Sequence, residues 1–344
     1  MRERYEITVV ISTYNRSGRL AATLDSVLEQ QSREVRYEVI VVDNNSTDST
    51  REVVESYIGR GHTNLSYVFE PMQGVSYARN AGIGKARAEV IAFADDDVRV
   101  AKDWVADIKR VFEKHPEVDC IGGRVLPGWT SEPPAWLTRD HWMPLALLDY
   151  GDEPFFINAN HPLCLVSANL AVRREVLTKT GLFAPDLQRV KDSIGSLEDA
   201  ELLERIWRGG SQCLYTPLLT VTTDVPAERM TKDYHRRWHT GHGRFLAIMR
   251  SEEIERSSHR LFDVPAHLYK HAVRDAAAWF KYFLAGRSEC AFTYEIRMRF
   301  FAGFFRKRRQ DYLAAERGQV REIVRFARSL LKKAEVDLIS SSSH

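Results

Sequence analysis

The stretch that most constrains this chain is Val90–Asp97 (VIAFADDD), where a short apolar run ends directly in three aspartates. The apolar residues predict a buried strand, so the three carboxylates lie where that strand ends. Burying adjacent like charges without compensation would cost several kcal/mol, which calls for a counter-charge. The alternate carboxylates, Asp95 and Asp97, can converge on one hard divalent cation while Asp96 turns elsewhere. A solvated acidic turn is the alternative, because aspartates are common in turns.

Buried strands and amphipathic helices alternate around this stretch. Apolar, β-branched runs predict strands at 5–12, 37–42, 65–69 and 90–94. Helical periodicity predicts helices at 18–30, from 49 onward, 76–87 and 103–115. This alternation is typical of βαβ units, so the chain is expected to have an α/β fold with a mainly parallel sheet flanked by helices.

Polar clusters follow the predicted strands at the ends where parallel sheets bind their ligands. These clusters are Thr13–Arg16, Asp43–Ser46, the turn before Arg79-Asn80, and Asp95–Asp97. Their coincidence predicts a ligand site at one edge of the sheet. A dinucleotide site is excluded because the Gly-x-Gly at 82–84 lies inside a helical pattern rather than directly after a strand, and no P-loop sequence occurs.

Taken in order, these motifs resemble those of family 2 glycosyltransferases with the GT-A fold. The matching stretches are Ser12–Arg16, Val41–Asp48, Gly74–Gly82 and Phe93–Asp97. The likeness extends over about residues 5–245. It implies a nucleotide-sugar donor, expected to be a UDP-sugar, a divalent metal ion (Mn²⁺ or Mg²⁺), and transfer with inversion at the anomeric carbon.

The same resemblance implies roles for individual residues. Donor binding is implied for Thr13, Tyr14, Asn15, Arg16, Asp43, Asn45, Arg79, Asp95 and Asp96. Within that set, Thr13, Tyr14, Arg16 and Asp43 would hold the base and ribose, and Arg79 would reach toward the diphosphate. Asp97, with Asp95, would bind the metal, which neutralises a leaving diphosphate as a Lewis acid does. For Arg79 the alternative is an arginine on a helix surface.

A second acidic pair, Glu198-Asp199, opens a predicted helix farther along the chain. The resemblance implies that Asp199 is the general base and that Glu198 orients the acceptor. The alternative is that both carboxylates only suit the helix dipole. The preceding stretch Leu165–Arg174 is similar to the small-residue turn that lies beside the donor sugar in this family.

One departure from the family pattern concerns the metal. Relatives often carry a histidine before a V-P-x-x-R stretch, whereas residues 221–229 here contain none. Asp224 is expected to replace it, because hard cations accept oxygen ligands. The alternative is that the metal has one protein ligand fewer.

Three histidines farther on, His235, His239 and His242, have the i, i+4, i+7 spacing of one helical face. A zinc set is one interpretation of that spacing. Gly241 and Gly243 argue against a regular helix there, so solvated or diphosphate-contacting histidines are preferred.

The C-terminal part of the chain is basic. From Val225 onward there are 24 Lys/Arg and 14 Asp/Glu, a balance of +10, whereas the remainder carries −8. Met298–Arg309 mixes Phe with a basic run, which predicts either a membrane-surface helix or a helix that packs its Phe residues on the catalytic domain. The irregular stretch Trp129–Tyr150 is predicted to be an acceptor region, where Trp129, Trp136 and Trp142 either stack on sugars or, preferably, pack a loop.

The predicted organisation is a catalytic domain over 1–255, divided into a nucleotide-binding half (1–124) and an acceptor half (125–255), followed by a basic helical region over 256–344. Separated cysteines without a C-x-x-C pair predict reduced thiols and a cytoplasmic protein. The basic C-terminal region predicts peripheral contact with the inner face of the membrane. The expected function is inverting sugar transfer to a glycan or lipid-linked acceptor, with no nucleic-acid partner. The alternatives are a sugar nucleotidyltransferase and a non-catalytic nucleotide-sugar-binding relative.

Overall fold

The computed structural model describes residues 5–31, 34–188, 194, 197–256 and 259–341. The chain forms two compact units, Met1–Trp238 (unit 1) and His239–His344 (unit 2). Each unit is described separately below.

Unit 1 is built on one large sheet. Its strands are β1 (Ile7–Thr13), β2 (Tyr37–Asp43), β3 (Leu65–Phe69), β4 (Val90–Asp95), β5 (Val98–Val100), β6 (Cys120–Trp129), β7 (Phe155–Ile157), β8 (Leu170–Arg173) and β9 (Cys213–Val225). The order is β3-β2-β1-β4-β8-β6-β9-β5, with β7 also paired to β9. The first four strands of that order are parallel, and β8 is antiparallel to both of its neighbours. This mixed, mostly parallel sheet confirms the predicted α/β class.

Helices follow most of the parallel strands. They are α1 (Ser17–Leu28), α2 (Thr50–Gly59), α3 (Val75–Lys85), α4 (Trp104–Lys114), α5 (Arg174–Thr180), α6 (Glu198–Arg208) and α7 (Lys232–Met249), the last of which continues into unit 2. The four predicted strands and the first four helices agree with these bounds to within two residues.

Close packing of α3 on the sheet depends on Gly82. A Cβ at this position would lie 2.4 Å from Cγ1 of Val10 in β1 and 3.2 Å from Cγ2 of Val42 in β2. Gly82 therefore allows α3 to pack closely on β1 and β2. The start of α3 is held by Gln188, whose Oε1 accepts the backbone N–H of Ser76 at 2.8 Å. These contacts fix the helix that carries Arg79.

The three aspartates lie at the junction of β4 and β5. Asp95 ends β4, Asp96 and Asp97 form the turn, and β5 pairs antiparallel with β9. The carbonyl oxygen of Asp97 accepts the hydroxyl of Thr223 at 3.3 Å and the backbone N–H of Asp224 at 3.5 Å. Asp97 and Asp224 are far apart in sequence, and the pairing of β5 with β9 brings them side by side.

Unit 2 is helical, as predicted for the C-terminal region. Beyond the end of α7 it contains α8 (Glu252–Glu255), the short strands β10 (Arg260–Leu261) and β11 (Val264–Pro265), α9 (Ala266–Leu284) and α10 (Ser288–Ser341). Its buried core consists of Ala247, Val264, Leu268, Phe301 and Phe304. No helix in the described part of the chain is long and apolar enough to cross a membrane.

The doubt about a regular helix around Gly241 and Gly243 is wrong, because α7 runs through both. A Cβ at Gly243 would lie 2.1 Å from the carbonyl oxygen of Phe300, and one at Gly303 would lie 2.0 Å from that of Thr240. The glycines therefore allow α7 and α10 to cross at backbone contact. The packing gained there offsets the low helix propensity of glycine.

The Phe-rich basic run of α10 belongs largely to the core of unit 2. Phe301 and Phe304 are buried, and Arg308 is fully buried with its Nη1 3.1 Å from Oδ2 of Asp263 and its Nη2 on Glu255. The alternative prediction was that these Phe residues pack on the catalytic domain. They do pack inside the protein, but in the core of unit 2. Phe301 and Phe304 are therefore core residues, whereas Arg299, Arg306 and Arg309 of the same run are exposed.

Candidate active site

The loops after β1 and β2 are tied together at the carboxyl edge of the sheet. The backbone N–H of Asn15 donates to Ser46 Oγ at 2.9 Å, and Asn15 Oδ1 accepts the N–H of Thr47 at 2.7 Å. Asn15 (φ 50°) and Asn45 (φ 64°) adopt the left-handed conformation that asparagine tolerates in turns. The predicted polar clusters Thr13–Arg16 and Asp43–Ser46 therefore lie side by side at this edge of the sheet.

A pocket of about 350 Å³ opens beside Asp43. Its lining residues are Asp43, Ser46, Thr47, Asp48, Arg51, Glu52, Tyr67 and Phe69. Asp43 is buried, accepting the Ser46 N–H on Oδ1 at 2.9 Å and the Tyr67 hydroxyl on Oδ2 at 2.7 Å. Burial and the neighbouring Asp43 carboxylate raise the pKa of Tyr67, so its phenol remains a hydrogen-bond donor.

Sequence analysis did not identify Tyr67 and Phe69 as pocket residues. They are two positions apart on β3, on the same face of the strand, and Phe69 is half exposed. An exposed aromatic at the carboxyl end of a predicted parallel strand was the available signal.

Arginines supply the counter-charge for the aspartate turn. Arg16 Nη1 lies 2.5 Å from Asp97 Oδ2 and 3.3 Å from Asp96 Oδ1, and Arg19 Nη1 lies 3.8 Å from Asp97 Oδ2. The negative charge of Asp96 is the main cause of the raised pKa of Arg16, and it outweighs the opposing effect of burying Arg16. Burial raises the pKa of Asp96 to about 7, against the opposing effect of Arg16. Arg16, which was predicted to bind the nucleotide-sugar, thus forms an ion pair with Asp97, which was predicted to bind the metal.

Arg79 is buried and lies between three carboxylates, of which Glu198 is also buried. Its Nη1 is 3.0 Å from Glu198 Oε1 and 3.1 Å from Asp199 Oδ1, and its Nη2 is 3.3 Å from Asp95 Oδ1. Burial lowers the pKa of Arg79, but the charges of the three carboxylates outweigh it and raise that pKa. The guanidinium also lies over the Phe183 ring, 5.2 Å from its centroid. The alternative of a surface arginine is wrong, because Arg79 is 5% exposed.

The carboxylate of Asp199 is held in one orientation by three donors. Besides Arg79, the backbone N–H of Ser167 donates to Oδ2 at 3.0 Å, and the Ser167 hydroxyl donates to Oδ1. Ser167 begins the 3₁₀ turn Ser167–Asn169, and Asp199 lies in the first turn of α6. The sequence had indicated this small-residue turn, but not that its serine holds the predicted base.

The remaining predicted ligand, Asp224, is paired with an arginine. Both of its oxygens accept hydrogen bonds from Arg99, which lowers the pKa of Asp224. Among the described residues no group of three or more His, Cys, Asp or Glu side chains could by itself hold a metal ion. Carboxylate oxygens nevertheless suit Mg²⁺ and Mn²⁺, and Mg²⁺ commonly takes one or two carboxylates together with substrate phosphates. The donor set fits a metal whose coordination a bound diphosphate completes.

The expectation of a solvated histidine at 235 is wrong. His235 is fully buried, with its ring 5.0 Å from that of Trp136 in an edge-to-face contact. Burial lowers the pKa of His235 to about 4, so the ring is neutral at pH 7. Trp129, Trp136 and Trp142 are partly buried against the core of unit 1, in agreement with the preferred packing role.

Both the sheet and the site correspond to known proteins. The solved structure of mannosyltransferase PcManGT from Pyrobaculum calidifontis, in complex with GDP-Man and Mn²⁺, superposes with a TM-score of 0.59 at 19% identity, covering 90% of this chain and 88% of that one. The fold is thus the GT-A type found in glycosyltransferases. A profile described as Glycosyl transferase family 2 matches residues 8–181. The chain belongs to this family, and the resemblance inferred from its motifs is confirmed.

Curated relatives share parts of the chain. Glucosyl-dolichyl phosphate glucuronosyltransferase of Haloferax volcanii is 24% identical over 213 residues, which is 61% of this chain and 66% of that protein. Succinoglycan biosynthesis protein ExoM of Rhizobium meliloti is 27% identical over 253 residues, 71% of this chain and 76% of that protein. In the first four curated relatives the matched stretch spans only 22% to 66% of their own lengths.

Proposed function

We propose that the chain transfers a sugar from a nucleotide-sugar donor to an acceptor hydroxyl with inversion at the anomeric carbon. The observation that carries this proposal is the Arg79 network. It connects Asp95, at the end of β4, with the Glu198-Asp199 pair at the start of α6. Donor-side and base-side carboxylates on separate elements are what a single displacement between two substrates needs.

The donor base is assigned to the pocket beside Asp43. Its volume of about 350 Å³ is at the small end of ligand sites, and the Tyr67 and Phe69 rings offer apolar surface for a planar base. Asp43 already accepts two hydrogen bonds, but a carboxylate has about four lone-pair positions. One of these can accept the imide N–H of a uracil, which favours a UDP-sugar.

In the transfer step the acceptor hydroxyl attacks the anomeric carbon from the face opposite the diphosphate. Asp199 takes the hydroxyl proton as the new bond forms, and Glu198 orients the acceptor. Ser167 and Arg79 hold the Asp199 carboxylate ready for that proton. Because the displacement is direct, no covalent enzyme intermediate forms.

A divalent metal would be held by Asp97 together with the diphosphate of the donor; Asp95 and Asp224, the other two predicted ligands, do not form a three-carboxylate set with Asp97 among the described residues. When bound, the metal supplies charge neutralisation for the departing diphosphate. Each of these three carboxylates pairs with a different arginine in the structure, namely Arg16, Arg79 and Arg99. These arginines compensate the charges of the three carboxylates within the protein.

The acceptor is proposed to be a glycan or a lipid-linked sugar at the inner face of a membrane. The Haloferax volcanii relative is named for a glucosyl-dolichyl phosphate, and the Rhizobium meliloti relative for succinoglycan biosynthesis. Residues 1–255 would form the catalytic domain and 256–344 the basic C-terminal region, with no role for nucleic acid.

Substitution of Asp97 tests the metal assignment. In Asp97→Asn we expect the Mn²⁺-dependent part of UDP-sugar affinity to disappear, because the neutral amide binds a hard cation poorly. Isothermal titration calorimetry with and without Mn²⁺ measures this difference. Asp103→Asn, at an exposed position just before α4, is the matched control and should behave like wild type. An unchanged Mn²⁺ effect in Asp97→Asn would remove Asp97 from the metal site.

A further inference from the structure

Helix α9 carries an apolar stripe that faces solvent. Val273, Phe280, Phe283 and Leu284 are 70%, 55%, 60% and 68% exposed, and Ala277 between them is also exposed. Positions 273, 277, 280 and 284 follow the i, i+4, i+7, i+11 spacing of one helical face. Single exposed apolar residues are ordinary on protein surfaces, but a contiguous stripe of this kind marks an interaction site.

The other side of α9 already has its partner within unit 2. Leu268 is part of the unit 2 core, and Asp275 is buried. Tyr269 packs on Phe305 of α10 with ring centroids 4.6 Å apart, and Tyr282 stacks on Tyr294 of α10 at 5.6 Å. The exposed stripe is therefore surface that remains after α9 has packed on α10.

Cations line one flank of the stripe. Lys270, Arg274 and Lys281 are all exposed and lie close together on the helical wheel, beside the apolar face. The only acidic residue of α9, Asp275, is buried and pairs with Arg274. The exposed surface of this helix thus combines apolar side chains with positive charge alone.

We propose that this face of α9 docks on an anionic lipid bilayer. An apolar stripe with adjacent Lys and Arg is the pattern of a helix that lies in a membrane interface. A second copy of the chain fits less well, because a two-fold contact across the stripe would bring Lys270, Arg274 and Lys281 toward their own copies without any acidic partner. The inference rests on the membrane-side setting proposed above and identifies the surface responsible for it.

Vesicle co-sedimentation of the full chain tests this surface. The probes are vesicles of phosphatidylcholine containing phosphatidylglycerol, compared with phosphatidylcholine alone. Since a Lys or Arg near an anionic surface contributes roughly 1 kcal/mol, Lys270→Gln/Lys281→Gln should weaken binding about 30-fold at low salt. Phe280→Ser/Leu284→Ser should weaken it as well. Arg297→Gln/Arg299→Gln removes the same charge from exposed positions on α10 and should leave binding close to wild type.

Three results would overturn the inference: no binding of wild type to anionic vesicles, equal loss in the α10 control, or dimerisation in analytical ultracentrifugation that is abolished by Phe280→Ser/Leu284→Ser without any vesicle binding. Nucleoside diphosphate release from a soluble donor is measured in the same variants and should not change. Intact release without vesicle binding would reject the α9 surface alone. Absent release with specific vesicle binding would instead reject the proposed reaction.

Discussion

Asp199→Asn is expected to lower the transfer rate by about 10²–10⁴-fold while donor affinity stays close to wild type. The amide keeps the size of the side chain but cannot accept the proton of the attacking hydroxyl. Its remaining oxygen can still accept the Ser167 N–H, which in the structure is 3.0 Å from the carboxylate. Steady-state kinetics combined with donor titration separate a lost base from lost binding.

Two further variants make this test specific. Glu201→Gln changes another acidic residue in the first turn of α6, whose carboxylate binds Arg205, and should retain transfer. Glu198→Gln should have a smaller effect than Asp199→Asn. If Glu198→Gln lowers transfer more than Asp199→Asn does, Glu198 is the base and Asp199 orients the acceptor. If both remain fully active, the base lies elsewhere.

Arg79→Met is expected to lower the free energy of unfolding by about 3–5 kcal/mol, the usual effect of removing one partner from a buried ion pair. The substitution removes the ion pair between Arg79 and the buried Glu198 and the link between Asp95 and Asp199. Methionine has similar length and suits the apolar surroundings near Phe183, so lost packing is small. Chemical denaturation of the full chain measures the difference.

The controls for Arg79 separate charge from geometry. Arg79→Lys keeps the charge but loses the planar fork that meets three carboxylates, so an intermediate loss is expected. Arg51→Met removes an exposed arginine that pairs with Glu55 on α2 and should not change stability measurably. Wild-type stability in Arg79→Met would mean that the network is not an energetic centre of unit 1.

Much of the nucleotide-binding side followed from the sequence because its signals are local. Buried parallel strands appear as continuous apolar runs, and the polar residues after β1, β2 and β4 directly mark the edge where ligands bind. The GT-A fold and the family could therefore be predicted from the sequence alone. The bounds of these strands and helices needed no information on long-range contacts.

Features that depend on long-range contacts could not be predicted in this way. Strand β5 has three residues and exists because it pairs with β9. The partners of Arg79 come from β4 and α6, which no local pattern connects. Helical periodicity also could not show which Phe-rich helix face of unit 2 is buried, since α9 and α10 both carry one. Packing buries Phe304 of α10 and leaves Phe280 of α9 exposed.

The configuration of the first-formed sugar product tests the proposed mechanism most directly. The chain is incubated with a panel of α-linked UDP-sugars and Mn²⁺, with water as the acceptor, and the anomeric signals are followed by proton NMR before mutarotation. A single displacement at this site predicts that one UDP-sugar releases UDP and yields the β anomer first, and that Asp199→Asn slows this release. An α anomer appearing first, or no UDP release from any donor of the panel, would contradict it.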